Sequence, residues 1–400
     1  MSNERSGFSS RLGFVLATAG SAVGLGNIWR FPYLAAKYGG GTFLLTYLIL
    51  TLTFGFSLMI TEVALGRKAG TSAIRAFGHF SKKYTFIGYL TTIIPFIIFP
   101  YYCVIGGWVT KYALLSIQGG IHNAASDTFF TGFISKSAEP MICVLVFLIA
   151  TTVVVVGGVK GGVERVSTIM MPVLIVLLIG VSLFCITRPG AMAGVVYYLK
   201  PNLKGFSPTT ILAALGQLFY SMSLAMGIMI TFGSYMPKKA DLEKSVTQVE
   251  IFDTGVAFLA GLMIVPAVFA FSNGDSSMLA KGPSLMFVML PKVFDSMAFS
   301  SVIAAVFFIL VLLAALTSSI SLLETLVAVL MDKFHMKRGT ACITMFIIAL
   351  LLAVPSSLGF GAWSNITILG FDFLDFFDFI SNSVLMPIAA FLTCLFVGYI

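Results

Sequence analysis

The chain has 400 residues, of which 58% are hydrophobic and only 10% charged, with mean hydropathy +1.01 and a formal net charge of +8. Soluble domains carry roughly a quarter charged residues, so an ordinary globular protein is excluded, and repeated apolar runs of about twenty residues specify an all-α polytopic membrane protein. The strand alternation of an outer-membrane barrel is absent, and three histidines without a metal-ligand cluster or a nucleophile–base pair leave no basis for an enzyme.

Ten spans are expected. No cleavable signal precedes the first, 12–36, which therefore stays as a spanning helix. It is interrupted at "SAVGLGN". Spans two (42–66) and three (86–116) flank the loop "GRKAGTSAIRAFGHFSKK", which holds five basic residues. Spans four (140–157) and five (166–187) lead to a long outer segment, 188–208, expected to form a short surface helix. Span six (209–236) is interrupted at "YSMSLAMG", and span seven (247–272) leads to a second long outer segment, 273–296. Spans eight (297–331), nine (340–354) and ten (373–398) follow. The chain closes on "LFVGYI" without a polar tail, from which a continuation of the native chain is expected.

With the N-terminus inside, 15 of the 24 basic residues fall on the cytoplasmic side, from Arg5 and Arg11 to Lys337 and Arg338. That excess orients the protein in the cell membrane and accounts for the net charge without a nucleic-acid partner. The five cysteines lie in apolar segments without metal-ligand spacing and read as packed thiols.

The interruptions occupy corresponding places, each in the first helix of a five-helix half, one entering from inside and the other from outside. Broken first helices in two inverted halves point to a transporter site at the bilayer midplane. Irregular backbone at that depth is tolerated only where it is buried or lines a cavity. One Gly-rich helix alone would be a packing motif; two in register, each beside polar residues, are not.

The stretch "RLGFVLATAGSAVGLGNIWRFPYLAAKYGGGTFLLTY", followed in order by "GQLFYSMSLAMG", "LTSSISLLE" and "FLDFFDF", strongly resembles the neurotransmitter:sodium symporter family, including its bacterial amino-acid transporters. The resemblance implies the leucine-transporter fold. This is one transporter domain over 1–400 with a 5+5 inverted repeat, halves 12–187 and 209–398, and broken helices 1 and 6. Members generally have eleven or twelve helices, so ten is a departure.

By the same resemblance, the amides of Leu25 and Gly26, the Tyr102 hydroxyl and a first sodium hold a substrate carboxylate, while carbonyls near Ala22, Tyr220 and Ser221 meet its ammonium, with Ser223 close by. Unwound helix ends supply such groups without charged side chains, which the midplane penalises. The first sodium is assigned to the Ala22 carbonyl, Asn27, Ser221 and Asp253. The second falls to the carbonyls of Gly20, Val23 and Ala314 and the hydroxyls of Thr317 and Ser318. Oxygen-only ligation suits a hard cation. Ser21, Ala22, Ile98, Tyr102, Tyr220, Met226, Ser319 and Leu322 are expected to set side-chain specificity. Ala225 replaces a common family glycine, and its methyl is expected to trim the pocket. The outer gate pairs Arg30 with Asp378, chosen over Asp375 by alignment of the motif, above Tyr220 and Tyr102. The inner gate pairs Arg5 with Asp332, supported by Phe8 and Tyr235. Glu62 and Glu324 are expected to be buried structural hydrogen-bonders.

The function these expectations describe is sodium-coupled symport of a neutral hydrophobic or aromatic amino acid by alternating access. It uses two sodium ions, no organic cofactor and no chloride. The alternatives are symport of another small zwitterion, such as an osmolyte, and a substrate sensor that no longer transports. The oligomeric state is not legible from the sequence.

Overall fold

The computed structural model describes residues 7–202, 206–275, 278 and 284–399. The architecture is all-helical. Among the described residues eight helices are long and apolar enough to cross a membrane, and the bent pair Arg11–Ala22 (span 1a) and Gly26–Lys37 (span 1b), kinked by 51°, is a ninth span. A tenth is divided more widely, into Pro208–Ser221 (span 6a) and Ile228–Tyr235 (span 6b). The unbroken spans are Gly41–Ala69 (2), Lys82–Ile117 (3), Ala138–Val156 (4), Val159–Ile186 (5), Leu242–Phe271 (7), Ser300–Phe334 (8), Arg338–Leu358 (9) and Phe373–Tyr399 (10).

Several boundaries differ from the sequence-based ones for local reasons. Span 5 starts seven residues early, through an irregular wide turn at Val159–Glu164 entered from Gly158 at φ 84°. Span 7 starts at Leu242 because the Asp241 side chain accepts from the Lys244 amide and caps it. Span 9 runs through Pro355 to Leu358 although proline gives up its own amide bond, the last turn closing with the Gly359 amide on the Pro355 carbonyl.

Span 3 is the axle of the bundle, with 78% of its most apolar window buried inside the protein and the length of span 8 packed against it. Spans 2, 4, 5, 9 and 10 turn large apolar residues outward, among them Leu52, Val176 and Leu351, as lipid-facing surfaces do.

Contacts define two faces. On the N-terminal face the Phe8 amide donates to the Tyr235 carbonyl at 3.0 Å, Arg67 bonds the Lys238 carbonyl, and Thr71 and Ser72 bond the Asp332 carboxylate. On the opposite face Gly40 bridges Pro201, and His122 meets Asp295 at 2.9 Å. Both long segments there carry the expected short helices, Ala191–Leu199 and Leu285–Asp295. Two more, Ile121–Ala124 and Phe129–Ile134, lie between spans 3 and 4, where only a connection was expected.

Candidate substrate and cation site

Both helix breaks are built by backbone that the helix cannot accommodate. Span 1a ends at Val23, whose extended conformation (φ −74°, ψ 101°) turns the chain out of the helix. Gly24 and Gly26 follow because neighbours approach too closely for side chains. A Cβ on Gly24 would lie 2.4 Å from the Ser318 hydroxyl, and one on Gly26 would lie 2.7 Å from the Tyr220 ring. In span 6 the turn passes through three left-handed residues, Ser223 (φ 53°), Ala225 (φ 62°) and Gly227 (φ 74°). Two of the three are not glycine, which stores strain of about 1–3 kcal/mol each.

Specific bonds hold that strained segment. The buried Glu62 carboxylate accepts from the Ala225 amide at 2.8 Å, and the Ser223 hydroxyl donates to the Ser21 carbonyl at 3.0 Å. Span 2 thus anchors one break, and the breaks anchor each other. Ala225 does not trim the pocket as expected: it contributes nothing to the cavity wall, and its consequence is the left-handed backbone.

Between the breaks lies a buried cavity of ≈ 30 Å³. Spans 1, 3, 6 and 8 converge on it. The expected Ser21, Ala22, Leu25, Gly26, Ile98, Tyr102, Tyr220, Ser221, Ser223, Met226 and Leu322 all line it, joined by Gly24, Ile228 and Ser318. Ser319 does not. Adjacent residues on a helix point about 100° apart, so when Ser318 faces the cavity Ser319 faces span 4, where its hydroxyl meets that of Thr151 at 2.9 Å. Ile228 was legible only as the first residue after the second break. Tyr102 accepts from the Leu25 amide at 3.5 Å, which brings its hydroxyl to the open end of span 1b.

Two oxygen clusters flank the cavity. In the first, the fully buried Asp253 carboxylate accepts from Asn27 Nδ2 at 2.7 Å, from Ser221 Oγ at 2.9 Å and from the Tyr47 hydroxyl at 3.3 Å. Asn27 Oδ1 accepts in turn from the Gly24 amide at 3.0 Å, so the cluster is stitched to the break in span 1. Ala22 and the cluster's Ser221 both line the cavity. In the second, Thr317 Oγ1 donates to the carbonyls of Ala314 at 3.0 Å and Val23 at 3.4 Å. Ser318 Oγ donates to those of Ser21 at 3.0 Å and Val23 at 3.3 Å. Gly20 allows this approach, since a Cβ there would already sit 3.3 Å from the Thr317 side chain. Among the described residues no group of three or more His, Cys, Asp or Glu side chains converges. The donors here are carbonyls, hydroxyls, an amide and one carboxylate, a set that fits a hard cation and not a soft metal.

Above the cavity a vestibule of ≈ 550 Å³ is bordered by Arg30, Tyr220, Asp375 and Asp378. Arg30 and Asp378 share it without forming the expected ion pair. The guanidinium lies over the Tyr220 ring, 5.0 Å from its centroid, while Asp378 accepts from Tyr101 at 3.2 Å and Asn382 at 2.6 Å. Tyr101, missed in the sequence, was hidden by its neighbour Tyr102 in the same "YY" pair.

Below the cavity, Tyr235 donates to the buried Glu324 at 2.8 Å, Arg338 pairs with the same carboxylate, and Phe8 packs edge-on against Phe14, Phe232 and Tyr235. Arg5 lies outside the described residues. Its expected partner Asp332 bonds Thr71 at 2.9 Å and the Ser72 amide at 2.7 Å.

Comparison with known proteins places this geometry. The sequence pattern described as the Sodium:neurotransmitter symporter family matches residues 5–131 and 130–400. The Bacillus subtilis (strain 168) protein named uncharacterized sodium-dependent transporter YhdH is 36% identical over 395 residues, covering 98% of this chain and 87% of its own. The human sodium- and chloride-dependent GABA transporter 2 is 28% identical over 83% of this chain and 62% of its own. The crystal structure of MhsT in complex with L-phenylalanine superposes with a TM-score of 0.91 at 40% identity, covering 99% of this chain and 90% of that one.

Proposed function

Because the chain belongs to the sodium:neurotransmitter symporter family, and is thus a sodium-dependent membrane transporter and not an enzyme, we propose that it imports a neutral hydrophobic or aromatic amino acid together with two sodium ions. The reading is supported above all by the convergence of main-chain groups freed at two helix breaks with the apolar side chains of Ile98, Met226, Ile228 and Leu322 on one buried cavity. The open ends answer a zwitterion, and the apolar wall answers its side chain. The MhsT relative bound to L-phenylalanine supports the same substrate class.

The first sodium sits at Asn27, Ser221, Asp253 and the Ala22 carbonyl, in contact with the substrate carboxylate. The second joins span 1a to span 8 through Gly20, Val23, Ala314, Thr317 and Ser318. Import is inward across the N-terminal face, which is cytoplasmic. Tyr220 and Met226 border the cavity and adjust to the bound side chain; the flexible Met226 thioether suits that adjustment. Arg30 and Asp378 close over the loaded site as an ion pair, and the Phe8–Tyr235–Glu324 assembly opens on the other side.

The test is a thermal-shift screen of the twenty amino acids in sodium and in potassium, followed by competition against a labelled hydrophobic amino acid in proteoliposomes. Leu, Met, Phe, Tyr or Trp should stabilise and compete in sodium alone. Glutamate, whose extra charge would be buried without a partner at a cost of about several kcal/mol, should not. Displacement by glutamate at similar concentration overturns the assignment.

A further inference from the structure

Span 1a is fastened at both ends. Its C-terminal end is held to span 8 by the hydroxyls of Thr317 and Ser318. Its N-terminal end meets a side chain that no step above uses. The carboxylate of Glu164, 6% exposed, accepts from the Ser9 amide at 2.8 Å with one oxygen and from the Ser9 hydroxyl at 2.5 Å with the other. It lies flat on the first turn of span 1a. A Cβ on Gly13 would fall 1.8 Å from Glu164 Oε1, so glycine at this position is what admits the carboxylate. The Ser10 hydroxyl accepts from the Gly13 amide at 2.9 Å and completes the cap.

We propose that Glu164 is a clasp that holds span 1a in its closed position, and that its release accompanies opening of the N-terminal face; the role in transport rests on the function proposed above. Three features carry it. A negative charge beside the first turn of a helix is favoured by the helix dipole, and hydrogen bonds to an ionised group are about twice as strong as neutral ones. The clasp therefore outweighs the neutral Phe8 amide bond to Tyr235 beside it. Glu164 also closes the irregular turn Val159–Glu164, so the clasp stands on a segment of span 5 that is not regular α-helix. Finally, span 1a is a rod of twelve residues, about 18 Å long, so a tilt that frees Ser9 is felt at Val23. Sodium bound at Val23, Thr317 and Ser318 and the clasp at Ser9 then favour one and the same position of the rod. Glu164 touches no substrate; it is a positioning residue.

The experiment is hydrogen–deuterium exchange of peptides covering residues 9–22 in the purified full chain in nanodiscs, in potassium and across a sodium titration. Glu164→Ala should speed exchange there about tenfold in potassium. It should also raise by a similar factor the sodium concentration that half-protects the segment, because sodium must then draw on a smaller closed population. Glu164→Gln, which keeps the volume, should give a smaller change in the same direction. Ser9→Ala added to Glu164→Ala should change little further. Unchanged exchange in a folded Glu164→Ala protein overturns the clasp. So does faster exchange with an unchanged sodium requirement, or strict additivity with Ser9→Ala, since either marks simple packing. The potassium arm judges the clasp by itself; a wild type that sodium does not protect counts against the transport reading instead.

Discussion

Asp253 concentrates the chemistry of the site in one side chain. It lies three turns inside span 7, fully buried, and receives Asn27, Ser221 and Tyr47. In the proposed function two sodium ions and a zwitterion bring two uncompensated positive charges, and a buried excess of that size needs a nearby anion. Asp253 supplies a fixed one. The neighbouring groups that would otherwise line an anion position are engaged: Tyr47 and Ser221 donate to Asp253, Gln217 Nε2 donates to the Gly26 carbonyl at 2.9 Å, and Ala257 carries no charge. Sodium-driven uptake is therefore expected to continue at nearly the same initial rate when chloride is replaced by gluconate on both sides. Asp253→Asn should abolish uptake or make it chloride-dependent. Loss of wild-type uptake without chloride would show the charge assignment to be wrong.

At the scale of elements, the informative contact is span 2 reaching into the break of span 6. Left-handed Ser223 and Ala225 persist because Glu62 and Ser21 accept from that segment. Removing an acceptor from a buried amide costs about 1–3 kcal/mol, whereas an isosteric acceptor preserves the bond. Glu62→Gln is expected to keep near-wild-type thermal stability in detergent. Glu62→Leu should lower the unfolding temperature and blunt any stabilisation by sodium. Equal melting of the two variants would remove Glu62 as the anchor of the break.

The molecule as a whole is asymmetric between its faces. The N-terminal side is laced shut by Phe8–Tyr235, Ser9–Glu164, Thr71–Asp332 and Arg338–Glu324, while the vestibule lies on the opposite side of the cavity. Basic residues crowd the laced side, which the proposed orientation places in the cytoplasm. A single cysteine at Lys239, on a background with the exposed Cys394 replaced by alanine, should react with a membrane-impermeant thiol reagent only after cells are permeabilised. One at Leu369, 80% exposed on the opposite face, should react in intact cells. The reverse pattern would invert the topology.

Hydropathy and composition by themselves determined the membrane class and ten spans, because lipid imposes long apolar helices whatever their neighbours. The interruptions "SAVGLGN" and "YSMSLAMG" marked both breaks because they fall in corresponding places, each beside polar residues, where one Gly-rich helix alone would be a packing motif. The motif match then carried the family and nearly the whole cavity wall. What the sequence left undecided depends on distances between segments far apart in the chain. Ser318 and Ser319 are chemically alike, and only packing on span 4 turns one inward and the other away. Arg30 and Asp378 are both costly at depth, yet the fold gives each another partner, a tyrosine ring and the Tyr101–Asn382 pair. Glu164 carries no signal of its own in the sequence; only the fold brings Ser9 and Gly13, some 150 residues earlier, against it. Periodicity is a local property and survives in one dimension; which of two adjacent side chains meets a remote carbonyl is settled only when the helices pack.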